Sequence, residues 1–220
     1  MRFLTPDDAP PALPCWINGR AFLSLTEAFV DVIDRDSGQP VRRTPLCGAA
    51  EVEAALAAAQ AAAPAWRAQG AAERERLLVA WGALLQAYRD HFARLLRQEA
   101  GGTEAAAGEE ISAAVHALGT ADAASAAPRA CVLGEIAIFQ AGTAEGLAEV
   151  ARALAVELRA GLPVVINPDA AAPGAIYALC ELSARAGLPA GVVNLVQGRE
   201  AVTEVFASHM ALASQPACVK

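Results

Sequence analysis

The apolar positions of this chain change period twice. Residues 29–33, FVDVI, alternate as a strand does, Asp36-Ser37-Gly38 follows as a turn, and VRRTP at 41–45 is the expected return strand of a hairpin. From about Ala50 the spacing lengthens to three and four. Val52, Leu56, Ala59, Ala63 and Trp66 predict one helix to about Gln69. Leu77, Leu78, Trp81, Leu84, Leu85, Tyr88, Phe92, Leu95 and Leu96 predict a single second helix from about Ala71 to Gln98. Gly101-Gly102 ends it, and Thr103 is placed to cap a third helix reaching Leu118.

After a stretch of small residues at 119–130 the pattern becomes strand, helix, strand, helix, strand. VLGEIAIF at 132–139, PVVIN at 163–167 and VVNLV at 192–196 are short, β-branched and almost wholly apolar. Helices predicted at 144–160 and 172–186 lie between them, ended by Gly161 and Gly187, and residues 200–209 read as another helix. Apolar strands alternating with helices predict an α/β fold with a short parallel sheet covered on both faces. The chain therefore divides into an extended arm at 1–15, a hairpin plus helical region at 16–118, a linker at 119–130, and an incomplete Rossmann-like βαβαβ region at 131–220. The tail ALASQPACVK fits a further strand or a frayed end.

Composition narrows the function. The formal net charge of −7 and the scattering of Arg pairs such as Arg42-Arg43 argue against nucleic acid and anionic membranes as partners. Cys15, Cys47, Cys131, Cys180 and Cys218 are far apart, and with three His they predict no metal site. They read as thiols in a reducing compartment, and the absence of a signal-peptide-like start or membrane-length apolar run gives a cytoplasmic expectation.

Several strings together resemble the aldehyde dehydrogenase family. WINGRAF at 16–22 is similar to its entry strand, VIDRDSGQPVRRTP at 32–45 to its "inP-tG-v" hairpin, and residues 51–96 to its two long N-terminal helices. LRAGLPVVINPD at 158–169 resembles "AGNtvvlKPse", and SARAGLPAGVVNLVQG at 183–198 resembles "eAGlPpGvvNvvtG". The matches cover roughly 16–118 and 131–209 in the family's order. The resemblance implies an aldehyde-dehydrogenase-like domain in which an N-terminal hairpin and long helices pack on a Rossmann-like sheet.

The departures set the functional expectation. The resemblance places the family's NAD site at Gln140, Ala141, Gly142, Asn167, Pro168 and Asp169. Where the family has a P-W-N-F-P loop whose Asn donates to the developing oxyanion, this chain reads QAGTAEG at 140–146. The family's ribose-binding Lys is Asn167 here, and its Glu two residues past the following Pro is Ala170. Charge-assisted bonds worth about 1.5–3 kcal/mol each are thereby lost. No glycine follows His209 where the family places its "FTGS" turn, and 119–130 is short for the family's oligomerisation hairpin. Cys218 in SQPACV resembles the "GQ-x-C" nucleophile string with altered spacing, and Lys220 precedes the region of the family's nucleophile and general-base Glu. The expectation is a truncated, degenerate member with no catalytic residue, no metal and no cofactor of its own. It is expected to associate with a full-length aldehyde dehydrogenase subunit or with itself. The alternative is part of an NAD- or NADP-dependent aldehyde oxidoreductase completed by another chain.

The remaining polar candidates have structural readings. Glu145 and Glu149 read as one solvated helix face, Glu109-Glu110 as helix surface, His116 and His209 as helix-end residues, and Trp66 and Trp81 as core anchors.

Overall fold

The computed structural model describes residues 9–120, 130–142 and 145–213. The first hairpin pairs β1 (Cys15–Ile17) with β2 (Arg20–Phe22). Its turn, Asn18-Gly19, has positive φ at both residues, 55° and 72°, the conformation that two-residue hairpin turns favour. WINGRAF is thus a hairpin and not one strand. A second hairpin, β3 (Phe29–Ile33) with β4 (Pro40–Pro45), forms where the alternation predicted it. Residues 11–13 lie along β4: Leu13 N–H donates to Arg43 O at 2.9 Å, and Arg43 N–H to Pro11 O at 3.0 Å.

Helix α1 (Ala49–Ala68) agrees with its apolar spacing. The long second helix does not persist; it is divided into α2 (Ala71–Ala87) and α3 (Arg89–Ala100) at Tyr88, whose φ and ψ are −98° and 18°. Hydrogen bonding crosses the break, since Tyr88 N–H donates to Leu84 O and Phe92 N–H to Tyr88 O. The apolar stripe therefore stays in register through a one-residue kink. Helix α4 (Glu104–Gly119) begins as expected, with the Thr103 hydroxyl accepting from Ala106 N–H at 3.1 Å. Most of the predicted linker, 121–129, lies outside the described residues.

The run VLGEIAIF is two strands, β5 (Cys131–Leu133) and β6 (Ile136–Gln140), folded antiparallel about a turn at Gly134, φ 60°. Gly134-Glu135, a glycine and a charge between two apolar runs, carries the signal of that turn. Helix α5 (Leu147–Arg159), β7 (Val164–Asn167), α6 (Gly174–Arg185), β8 (Val193–Leu195) and α7 (Glu200–Ala213) complete the order. The six-stranded sheet runs β2-β1-β8-β7-β6-β5. Its centre, β6-β7-β8, is parallel, and an antiparallel hairpin closes each side.

Alternate strand residues face opposite layers, as the two-residue period requires. Trp16, Ala137, Phe139, Val164, Ile166 and Leu195 pack with residues of α2 to α6 in the larger core. Cys15, Ile17, Ile136, Ile138 and Val165 face the other way, against Val52 and Leu56 of α1 and Val202 and Phe206 of α7. Trp66 and Trp81 are fully buried anchors. Their indole N–H groups donate to Leu158 O at 3.2 Å and Leu179 O at 2.9 Å. The result is a three-layer α/β/α architecture with the carboxyl ends of β6, β7 and β8 at one edge. Among the described residues no helix is long and apolar enough to cross a membrane.

Candidate functional site

Open parallel sheets leave a crevice beyond the carboxyl ends of their strands. Here that crevice has a volume of about 540 Å³. One side is formed by Ala141, Asn167, Pro168, Asp169 and Ala170, and the other by Gly198, Arg199 and the first turns of α7 at Glu200, Thr203 and Glu204. Four of the six positions expected from the sequence therefore meet. Gln140 is exposed and lines a separate hollow with Cys131 and Phe206. Gly142 is exposed, and its N–H donates to Glu145 Oε2 at 2.7 Å. The Gly198–Glu204 wall was not foreseen; the signal for it was Gly198, a glycine between an apolar strand and a helix.

Asn167 decides the character of this crevice. Its residue is only 6% exposed. Its Nδ2 donates to Val196 O at 3.0 Å and Gly198 O at 3.4 Å. Both donors of the amide are thus committed to the β8–α7 turn. Its backbone carbonyl accepts from Ala141 N–H at 2.9 Å, closing the parallel ladder. Asp169 is likewise turned on its own loop, Oδ1 accepting from Ala171 N–H at 3.0 Å. Ala170 is buried, and its carbonyl accepts from the Thr44 hydroxyl at 2.7 Å, tying the β7–α6 loop to β4.

The charges around the crevice are mostly negative: Asp169, Glu200 and Glu204 stand against one guanidinium, Arg199. The neighbouring start of α5, where an anion would meet free amides, is also taken by carboxylates. Glu149 Oε2 accepts from Gly146 N–H at 3.1 Å, and Glu110 Oε1 accepts from Ala148 N–H at 2.9 Å. Glu149 and Glu110 therefore cap α5, and Glu145, which lies before the helix, closes its own turn onto Gly142 N–H; none is the plain solvated helix surface expected. A Cβ on Gly146 would displace the Glu110 carboxylate from this contact. His209, at the far part of α7, meets Glu53 of α1 at 2.9 Å, well away from the crevice lining.

Among the described residues no group of three or more His, Cys, Asp or Glu could hold a metal. Cys15, Cys47 and Cys180 are buried and Cys131 is exposed. Burial raises the Cys180 thiol well above the usual range. None of these four lines the crevice. Cys218 lies outside the described residues.

Comparison with known proteins agrees with this architecture. A model of the Aldehyde dehydrogenase family matches residues 22–137 and 146–214. The succinate-semialdehyde dehydrogenase [NADP(+)] GabD of Escherichia coli is 34% identical over 197 residues, 83% of this chain and 41% of that protein. A glutarate-semialdehyde dehydrogenase of Pseudomonas putida is 31% identical over 198 residues, 83% of this chain and 41% of that protein. The crystal structure of an E. coli NADP-dependent enzyme superposes with a TM-score of 0.78 at 28% identity, covering 92% of this chain and 49% of that one. Aldehyde dehydrogenase C of Pseudomonas syringae, at 23% identity and a TM-score of 0.80, supports the fold alone; it covers 95% of this chain and 45% of that one. The chain spans about two fifths of the length of the curated relatives it matches. On the family match and the shared order of elements, the chain belongs to the aldehyde dehydrogenase family.

Proposed function

We propose that this chain acts as a non-catalytic aldehyde-dehydrogenase-like subunit or accessory protein of the cytoplasm, associating with a full-length aldehyde dehydrogenase. The observation that carries the reading is the commitment of Asn167. Where the family resemblance expects a cationic grip on a cofactor ribose, an amide spends both donors on Val196 O and Gly198 O. The carboxylates at Asp169, Glu200 and Glu204 add to this, because a dinucleotide's phosphates would be repelled there. The matched relatives named as succinate- and glutarate-semialdehyde dehydrogenases point to a partner of that kind, acting on an aldehyde that carries a carboxylate.

A second reading is favoured by one observation, the position of the crevice itself. An open hollow of about 540 Å³ beyond β7 and β8 is where such sheets hold nucleotides. On that reading the chain is part of an NAD- or NADP-dependent aldehyde oxidoreductase whose catalytic groups come from another chain.

The test combines affinity purification from the native cells with equilibrium dialysis against NAD+ and NADP+. The first reading expects a full-length aldehyde dehydrogenase in stoichiometric amount and no nucleotide retained at about 1 mM, the concentration at which binding of about 4 kcal/mol half-saturates. A partnerless chain that retains either nucleotide overturns it. Binding that is lost in Asn167→Asp then locates the nucleotide in the crevice and supports the second reading.

A further inference from the structure

We propose that Cys15 and Cys47 are a peroxide-sensitive thiol pair that closes to a disulfide and thereby moves one wall of the crevice. The two cysteines are 32 positions apart in sequence, yet their sulfurs stand 3.5 Å from each other. Cys15 is on β1 and fully buried; Cys47, in the connection from β4 to α1, is 2% exposed. A disulfide is about 2.05 Å long, so the sulfurs need to approach by about 1.5 Å. Cys47 lies between half-buried Leu46 and Gly48 in a three-residue connection, nearer the surface than the strand that holds Cys15.

The pair is chemically asymmetric. The hydrogen bond between the sulfurs, together with burial, holds the Cys15 thiol protonated far above its usual range. The same bond holds the Cys47 thiol below its usual value, with Ser24 helping. Cys47, in the short connection before α1, is on this proposal the thiol that meets peroxide first, and Cys15, held inside β1, is the resolving thiol. The Cys47 thiolate attacks hydrogen peroxide; the O–O bond breaks, and the departing hydroxide takes a proton to leave as water. Cys47 is then a sulfenic acid. The Cys15 sulfur attacks it, the S–O bond breaks, and the hydroxide leaves with the Cys15 proton as a second water. Two thiols and one peroxide give one disulfide and two waters.

The connection to the crevice runs through the β8–α7 turn. Gln197 N–H donates to Cys15 Sγ at 3.4 Å, and the Cys47 carbonyl lies 3.4 Å from where a Cβ on Gly198 would stand. Gly198 lines the crevice, and its carbonyl accepts from Asn167. Moving either sulfur disturbs the turn that Asn167 holds. This inference does not depend on whether the crevice binds a nucleotide.

The experiment exposes the reduced, folded full chain to hydrogen peroxide, blocks remaining thiols, digests without reductant and maps linked peptides by mass spectrometry. Amide exchange of residues 196–199 is followed in parallel. The expected result is a Cys15–Cys47 peptide pair lighter by two hydrogens, with an exchange shift at Gln197 that reverses on reduction. Both are lost in Cys47→Ser and in Cys15→Ala and kept in Cys131→Ser. Oxidation at Cys131 without the linked pair, or linkage only after unfolding in urea, overturns the thiol pair. Linkage with unchanged exchange at 196–199 overturns the coupling to the crevice.

Discussion

Glu99, near the end of α3, accepts the backbone N–H of Gly174, the first residue of α6, at 2.7 Å. Its other oxygen accepts from Arg42 Nη1 of β4, also at 2.7 Å, and the carboxylate is only 2% exposed. One buried side chain thus joins two helices and a hairpin. Removing it strands a guanidinium and an amide together. Glu99→Ala is expected to cost about 3 kcal/mol, at the lower end of what breaking a buried pair costs because Arg42 is partly solvated. Urea unfolding read by far-UV circular dichroism measures it, and a loss under about 1 kcal/mol would show that water replaces the carboxylate without penalty.

The same residue gives the protein a pH signature. Burial raises the Glu99 pKa above its ordinary value despite the Arg42 charge and the Gly174 N–H, which pull it down. A carboxyl whose folded pKa lies above its unfolded value binds more protons in the folded state across that interval. The extra stability that comes from its proton binding is then full below the unfolded value, about 4.5, and is lost as pH rises through the folded value, while the bonds to Arg42 and Gly174 remain. Glu99→Gln is expected to flatten the fall in stability with rising pH across that window. Chemical denaturation at closely spaced pH values compares the two slopes; parallel slopes reject the assignment.

Trp81 fills the core beneath α6 and bonds it through Nε1–H to Leu179 O at 2.9 Å. Trp81→Phe keeps an aromatic ring but removes the donor and leaves a gap. A loss of about 1–3 kcal/mol is expected for the bond and the unfilled volume together, measured as a shift of the urea midpoint with an unchanged slope.

Gly191, in the turn before β8, has φ +82°, and a Cβ there would stand 2.6 Å from Ala58 O of α1. Gly191→Ala therefore meets both backbone strain and a collision with a helix that cannot easily yield. The two together should cost about 2–4 kcal/mol. Gly38, also at positive φ but with open space around it, is the control. Gly38→Ala should cost only the strain, about 1 kcal/mol, when both are compared by thermal melting. Equal losses at the two positions would remove the packing argument.

The amino-acid pattern made most elements legible because periodicity is a local property. Val52, Leu56, Ala59 and Trp66 each sit on one helix face whatever lies opposite, and FVDVI alternates whatever it pairs with. The pattern was weakest where structure changes without changing polarity. At Tyr88 the stripe resumes in phase, so the helix break carries no apolar signature. At Gly134-Glu135 the turn did leave a polar mark, but the string around it reads through as one apolar strand. The Asn18-Gly19 dipeptide did carry a hairpin signal, which was hidden within a string read as one strand.

The α/β class, most of the helices and strands, and the family were legible along the chain, since these follow from spacing and from short strings. The roles of the polar groups with distant partners came from the packing of the layers. Asn167 reaches carbonyls 29 and 31 positions away, Glu99 an amide 75 away, Glu110 an amide 38 away, and Cys15 a sulfur 32 away. A side chain's neighbours at three or four residues are fixed by the helix it belongs to. Its neighbours at thirty or more are fixed by how the layers pack, which no local period encodes. That is why the crevice could be located from the strand ends, while the commitment of Asn167 to the β8–α7 turn, and the pairing of two cysteines behind it, emerged only from the folded chain.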